Sequence, residues 1–520
     1  MIRSNVVNEL DGGISSVTAS IIDMLWCTGE HNMHTAGVHV KLNQGDFAHI
    51  TAALGIIIAD EAALHLMYMC KGSSGLKPCM LCANVFNRND ERDVLEHDRT
   101  GIAQYHTCSD FSKLVMHTNS TIKSLIERLE NGSRTLTKGA FKELQVKMGW
   151  NYVPGSLVLQ PHLLDICDPV RVVLYDWMHV FFVNGVFNHH VGLLMSALRS
   201  HDVKYAMLDD YINEWTWPQQ FRGADGVMNP KRARSSSEAV SFKAGASESL
   251  AAMPVLTCFF DIVYSKTANQ DVRDHAMCFL GMIRIIEDIM KSARYAVDCD
   301  ALERSISVYL GAYKALYGEA NMQPKMHYMM HFPAFIRRWQ FLPNCFVLER
   351  KHKIPKKYAN PLLNTQTNWE TFVLRDVTNE HLTTLESTIV FDDGIGLISP
   401  YPASKNLNAT LQRELNVGPD VVFMTSKQAR MNEWDKCSKG DVVLLHDGRV
   451  GEVVLHAAFV SDDAWTCFTS LRTWEAVSTE RRYKTWRASR TPLLCLLSDV
   501  KCALTWAHAG ANMRTLRPLC

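Results

Sequence analysis

The 520-residue sequence has no surplus of charge of either sign: 54 basic side chains meet 54 acidic ones, for a formal net charge of zero. A protein that coats nucleic acid indiscriminately needs a basic excess, so any such binding is left to local patches. Long hydrophobic runs are also missing. Stretches such as "LGIIIA" (54–59) and "PLLCLL" (492–497) fall far short of the ~20 apolar residues that a membrane span needs, and no membrane partner is expected. The opening residues "MIRSNVVNELDGG" contain no continuous apolar stretch, which speaks against a secretory signal. No internal repeat is evident.

Cysteine, by contrast, is plentiful. Fifteen cysteines without a secretory signal point to a reducing compartment, cytoplasm or nucleus, where cysteine serves as core residue, metal ligand or reactive thiol. A composition of 47% hydrophobic and 21% charged residues is that of a soluble globular protein, and the length implies two to four domains.

Periodicity predicts helices over 14–27, 120–130, 136–148, 273–294 and 301–317, the second stopped by Asn131-Gly132. "GVHVKL" (37–42) alternates like a strand, and "KGSSGLKPCMLCANVFNRND" (71–90) reads as a loop. The Gly-, Ser- and Pro-rich stretch 216–250 reads as a linker or flexible insertion. From about residue 385 short β-branched runs punctuated by Asp-Gly predict hairpins. The reading is an α/β region with a helical insertion, followed by a small all-β domain.

Four groups of residues could carry chemistry. Cys79 and Cys82 in "KPCMLC" offer half of a tetrahedral zinc site, whose second pair must come from elsewhere. His106 and Cys108 in "YHTCSD" are one source for it. Asp60, closing "LGIIIAD", reads either as a carboxylate at the end of a strand, where α/β sheets place ligands and acids, or as the cap of the helix "EAALHLM". Asp176 and His179 stand three positions apart inside the apolar run "VVLYDWMHVFF". On a helix they share a face, and the aspartate can fix the histidine tautomer. His327 and His331 are at i, i+4, a metal-compatible spacing. Tyr328 stands where the zinc proteases have glutamate, which argues against that class. Beyond them Glu349 is the lone acid among Arg337, Arg338, Arg350, Lys351, Lys353, Lys356 and Lys357, a local charge of +6. Such a field suits a phosphate backbone, and a carboxylate within it suits a metal ligand.

The order of "ADEAALHLMYMCKGSSGLKPCMLC", "YDWMH" with "GVFNHH", and "KMHYMMHFPAFIRRW" through "VLERKHKIPKKY" resembles the CACTA and Plavaka-like transposases. That resemblance spans roughly 45–365. It implies an RNase H-like α/β core with an Asp-Asp-Glu site for Mg²⁺ or Mn²⁺, interrupted by a helical insertion. Residues 1–199 would form the first part of the core with its Cys-x-x-Cys loop. The insertion would span 200–320, with the linker at 216–250; 321–384 would complete the core, and 385–520 would be the β-rich domain. Asp60 would be the second catalytic acid, Glu349 the third, and Asp176 and His179 the Asp-x-x-His motif. Two metal ions in such a site activate a water or 3′-hydroxyl and stabilise the leaving oxygen of a phosphodiester. No acid fits the first catalytic position. Asp11 lies in a turn and Asp23 in a helix-like stretch, so the chain is expected to begin after the strand that carries it.

The expectation is therefore a nuclear, transposase-derived DNA-binding protein with structural zinc, in which DNA binding outlasts strand cleavage and a homo-oligomer is left open. Two rivals stand beside it. One is a non-catalytic binding module that uses the β-domain, with "ERRYKTWRASR" (480–490), to engage nucleic acid or protein. The other is a zinc-dependent hydrolase built on His327 and His331.

Overall fold

The computed structural model describes residues 7, 9–30, 32–42, 47–87, 103–104, 108–221, 242–346, 357–359, 369–386, 394–432, 435–461 and 464–516. It is a mixed α/β structure that ends in a large antiparallel sheet. The chain forms two compact units, residues 1–187 with 284–374, and residues 188–283 with 375–520. These boundaries differ from the expected divisions at 199/200, 320/321 and 384/385. The physical reason is that the chain passes from one unit to the other inside helices Val186–Leu198, Gln270–Lys291 and Trp369–Glu386. No loop composition marks such a crossing.

In the first unit, helix Ile14–Trp26 packs against helix Glu61–Tyr68, and the Ser15 hydroxyl donates to the Met67 carbonyl at 2.6 Å. Strands Ile57–Ala59 and Val173–Tyr175 pair in parallel, with Ala59 opposite Tyr175. Each strand is followed at once by an aspartate that caps a helix: Asp60 before Glu61–Tyr68, and Asp176 before Trp177–Phe182. Both readings of Asp60 therefore hold together. For Asp176 the helical reading is corrected: the apolar run 172–190 is broken into a strand and two helices, and the aspartate sits at the break.

The expected stop at Asn131-Gly132 is also corrected, because helix Asn119–Thr135 runs through it. Gly132 is buried against the next helix, Lys138–Met148, where an added Cβ would lie 2.7 Å from Leu144 Cδ2. Its lack of a side chain serves helix packing rather than chain reversal. The predicted helices at 273–294 and 301–317 appear as Gln270–Lys291 and Cys299–Tyr317.

The second unit is built on a ten-stranded sheet. Its long strands Val450–Ser461, Ala464–Thr479 and Tyr483–Leu496 are antiparallel neighbours. The Asp447-Gly448 signal does mark a hairpin, between Val442–Leu445 and Val450–Ser461, with Gly448 at φ +90°. The C-terminal sheet is all-β, as expected, and two further elements join it. Helix Lys405–Glu414 packs on the sheet through Leu411, and strand Trp215–Thr216, from the region read as insertion, pairs with Trp506–Ala509 at the sheet edge. Helix Ala246–Lys266 is long and apolar enough to cross a membrane, yet half of its apolar window is buried in the protein.

Candidate metal centre

The loop after helix Glu61–Tyr68 carries Cys79 and Cys82, and helix Pro324–Tyr328 with the tight turn Met329–His331 carries His327 and His331. Pro324 opens that helix at its first position, where its missing N–H costs nothing. The i, i+4 spacing then sets both imidazoles on one face. All four side chains are buried, none more than 3% exposed, and their donor atoms lie within 4.8 Å of one another.

The distances within the cluster fit one shared ion. His331 Nε2 is 3.1 Å from His327 Nε2, 3.4 Å from Cys79 Sγ and 3.7 Å from Cys82 Sγ. A tetrahedron with metal–nitrogen bonds of ~2.0–2.1 Å and metal–sulfur bonds of ~2.3 Å has N–N edges of roughly 3.3–3.4 Å and N–S edges of roughly 3.5–3.6 Å. The observed edges scatter about those values within a few tenths of an ångström. Two buried thiols and two buried imidazoles converging in this way could hold a metal such as zinc.

The electrostatics lean the same way. Burial opposes ionisation of Cys79, but the Cys82 thiol donating to it, together with His331 and His327 beside it, outweighs burial and holds it well below the usual thiol range. Cys82, buried and next to that sulfur, is pushed well above the range. Burial lowers His327 and keeps it neutral, the form that binds metal. Among the described residues its Nδ1 has no hydrogen-bond partner.

The centre is wired to the parallel strands. Tyr175, which ends the second strand, stacks on Tyr328 with ring centroids 4.3 Å apart, and its hydroxyl lies 3.6 Å from Cys79 Sγ. The Tyr328 hydroxyl donates to Glu61 Oε1 at 2.8 Å, one residue beyond Asp60. Lys325 donates to the His179 and Val183 carbonyls at 3.1 and 2.6 Å.

The other predicted residues fall as follows. Cys108 is not in the four-residue cluster, and its thiol donates to the Asp110 carbonyl at 3.4 Å. The side chains that meet Cys79 and Cys82 are those of His327 and His331, and His106 lies outside the described residues. Asp60 Oδ1 accepts from the Ala63 N–H at 2.6 Å in a half-buried cap. Asp176 is 1% exposed. It accepts from the N–H groups of Met178 and His179, each at 3.3 Å, from the Cys345 N–H at 3.0 Å, and from His179 Nδ1. With Cys345 it also forms a second cluster of metal-ligating type, Asp176–His179–Cys345, and Asp23, Cys27 and His162 form a third, more exposed one.

Arg337 pairs with Asp300 and Glu303 on helix Cys299–Tyr317, and Arg338 donates to the Val170 and Arg171 carbonyls at 2.8 and 2.7 Å. Both therefore have structural partners supplied by distant segments, so the count of local charge overstates the basic field. Glu349, Arg350, Lys351, Lys353 and Lys356 lie outside the described residues, while Lys357 lies over the Tyr358 ring at 4.9 Å. The cysteine pair and the histidine pair are each visible in the sequence, but their union across some 250 positions is not, nor are Cys345, Glu61 and the Tyr175–Tyr328 stack. Hydroxyl, thiol and aromatic positions at strand ends carry no spacing signal. Comparison of the chain with protein-family models, curated proteins and solved structures finds no match in any of the three.

Proposed function

We propose that the protein is a transposase-derived DNA-binding protein of the nucleus, with a structural zinc in the Cys79–Cys82–His327–His331 centre. In this reading Asp60 and Glu349 are two of the carboxylates of an RNase H-like site for Mg²⁺ or Mn²⁺. The observation that carries it is the pair of parallel strands each ending on an aspartate, Asp60 and Asp176, in matching register. The Cys/His centre adds to it by tying the helix Pro324–Tyr328 and the turn after it to the Cys-x-x-Cys loop and to Glu61 beside Asp60.

A zinc-dependent hydrolase is disfavoured by the same geometry. With these four buried side chains as ligands a zinc would have its coordination sphere closed, whereas a catalytic zinc keeps a position open for water.

DNA binding by the purified chain tests the proposal. Replacing Lys351, Lys353, Lys356 and Lys357 by alanine should flatten the log–log salt dependence of duplex binding by roughly 3–4 units, at ~0.9 per phosphate neutralised. All duplex sequences should weaken alike, since phosphate contacts position without specifying. An unchanged slope would remove this segment from the DNA-binding surface. Any Mg²⁺-dependent nicking should vanish in Asp60→Asn.

A further inference from the structure

The second unit holds a cleft of about 780 Å³ that neither the metal centre nor the strand-end carboxylates use. Its size falls in the range of ligand pockets, ~300–1,000 Å³, and exceeds what a lone phosphate would fill. Its walls are short antiparallel strands, Gly396–Ile398, Gln428–Arg430 and Lys436–Ser438, with Tyr401 and Ser426 beside them. Hydrogen bonds fix these walls to one another. The Ser426 hydroxyl donates to the Ile398 carbonyl and accepts from the Gln428 N–H at 3.0 Å, and Gln428 Nε2 donates to Ser438 Oγ at 3.3 Å.

Two lysines give the cleft its charge. Gln428 lies opposite Ser438 in the ladder, and one step further the Lys439 N–H donates to the Lys427 carbonyl at 2.7 Å. Lys427 and Lys439 therefore stand across from each other at the end of a hairpin, both exposed and both lining the cleft. Like charges opposed across antiparallel strands repel. Among the described residues no carboxylate lines the cleft. The acid nearest in sequence, Asp441, is buried, and its oxygens are taken by the Gln219 and Ser438 N–H groups at 3.0 and 2.8 Å. An anion placed between the two ammonium groups would relieve the repulsion. Tyr401, half-exposed at the same cleft, offers a ring face on which a base can stack.

We propose that this cleft binds single-stranded nucleic acid, with a backbone phosphate bridging Lys427 and Lys439 and a base stacked on Tyr401. This site goes beyond the proposed duplex binding by the first unit and is independent of it. The test uses the full chain and a fluorescein-labelled oligothymidylate, read by anisotropy, with a duplex of equal length in parallel. The double charge reversal Lys427→Glu with Lys439→Glu, at exposed positions, should weaken single-strand binding at least about tenfold. It should also lower the salt slope by about 0.7 for the phosphate released. Tyr401→Ala should weaken single-strand binding roughly tenfold, Tyr401→Phe should restore it, and duplex binding should not respond to either, because paired bases cannot stack on the ring. Unchanged affinity for oligothymidylate in the charge-reversed variant would overturn the proposal. So would a Tyr401→Ala loss shared equally by the duplex. Neither result would bear on duplex binding through Lys351–Lys357, which the alanine variant of that segment reports separately.

Discussion

Asp176 and Asp60 stand in equivalent places, each closing a parallel strand and capping the helix that follows, yet their surroundings ask different things of them. Asp176 is buried with four donors aimed at its two oxygens. Among them is the Cys345 N–H, so one carboxylate holds a histidine ring and anchors a chain segment 169 residues away. Asparagine there would turn an NH₂ toward those donors. Asp176→Asn should cost about 2–4 kcal/mol in urea unfolding, within the range for breaking a buried charged network. Asp60 makes a single capping bond in a half-buried site, and asparagine caps helices as well as aspartate. Asp60→Asn should therefore cost less than about 0.5 kcal/mol, which makes it the clean variant for testing catalysis. An equal loss from both substitutions would show that the contrast in burial does not decide their roles.

Two histidines of the second unit set a pH dependence at the same scale. Burial lowers His190 to about 3 and His456 to about 4 from the usual 6.5. Both are neutral in the folded chain at neutral pH, and the unfolded chain takes up their protons more readily. Their contribution is complete above pH ~6.5 and is lost as pH falls toward the folded values, at about 1.4 kcal/mol per pH unit for each. His456→Gln should thus flatten the fall in urea stability between pH 6.5 and 4.5 by close to that slope. A parallel fall in variant and parent would mean that His456 is protonated in the fold.

At the scale of elements, the helix over 119–135 shows where reading from sequence stops. Asn-Gly is a sound local signal for a turn, and here a tertiary contact overrides it because Gly132 lets two helices meet. Alanine favours an isolated helix by about 1 kcal/mol over glycine, but its Cβ would meet Leu144 at 2.7 Å. Gly132→Ala is expected to destabilise by about 1–2 kcal/mol, in line with overpacking of a tight contact. A stabilising result in thermal unfolding would show that the two helices can part at little cost. Elements with strong local patterns were legible in the sequence: the helix starting at Ile14, the strand at 38–41 and the Asp447-Gly448 hairpin. The break at Asp176 was not, because a three-residue strand and a six-residue helix are both apolar and too short for either period to register.

For the whole molecule, the divisions between units were hidden because they run through continuous helices, and the antiparallel sheet takes its edge strand from the region that reads as the helical insertion. Half of the candidate site was legible. Cys-x-x-Cys and the i, i+4 histidines each announce a metal, but proximity in sequence favoured His106 and Cys108 as the partners of the cysteines, and only the fold joins Cys79 and Cys82 to His327 and His331. A shared ion would satisfy two buried thiols and two buried imidazoles at one point. As zinc ligands they would contribute to folding on the order of 10 kcal/mol when the ion is bound.

The most direct test of this account is X-ray absorption at the zinc edge together with metal analysis of the purified chain. About one zinc per chain is expected, with two sulfur ligands at ~2.3 Å and two nitrogen ligands at ~2.0–2.1 Å. His327→Ala with His331→Ala should remove the metal as fully as Cys79→Ser, while Cys108→Ser should leave it in place. Zinc retained by the double histidine variant and lost with Cys108→Ser, or no zinc at all in the parent chain, would contradict it.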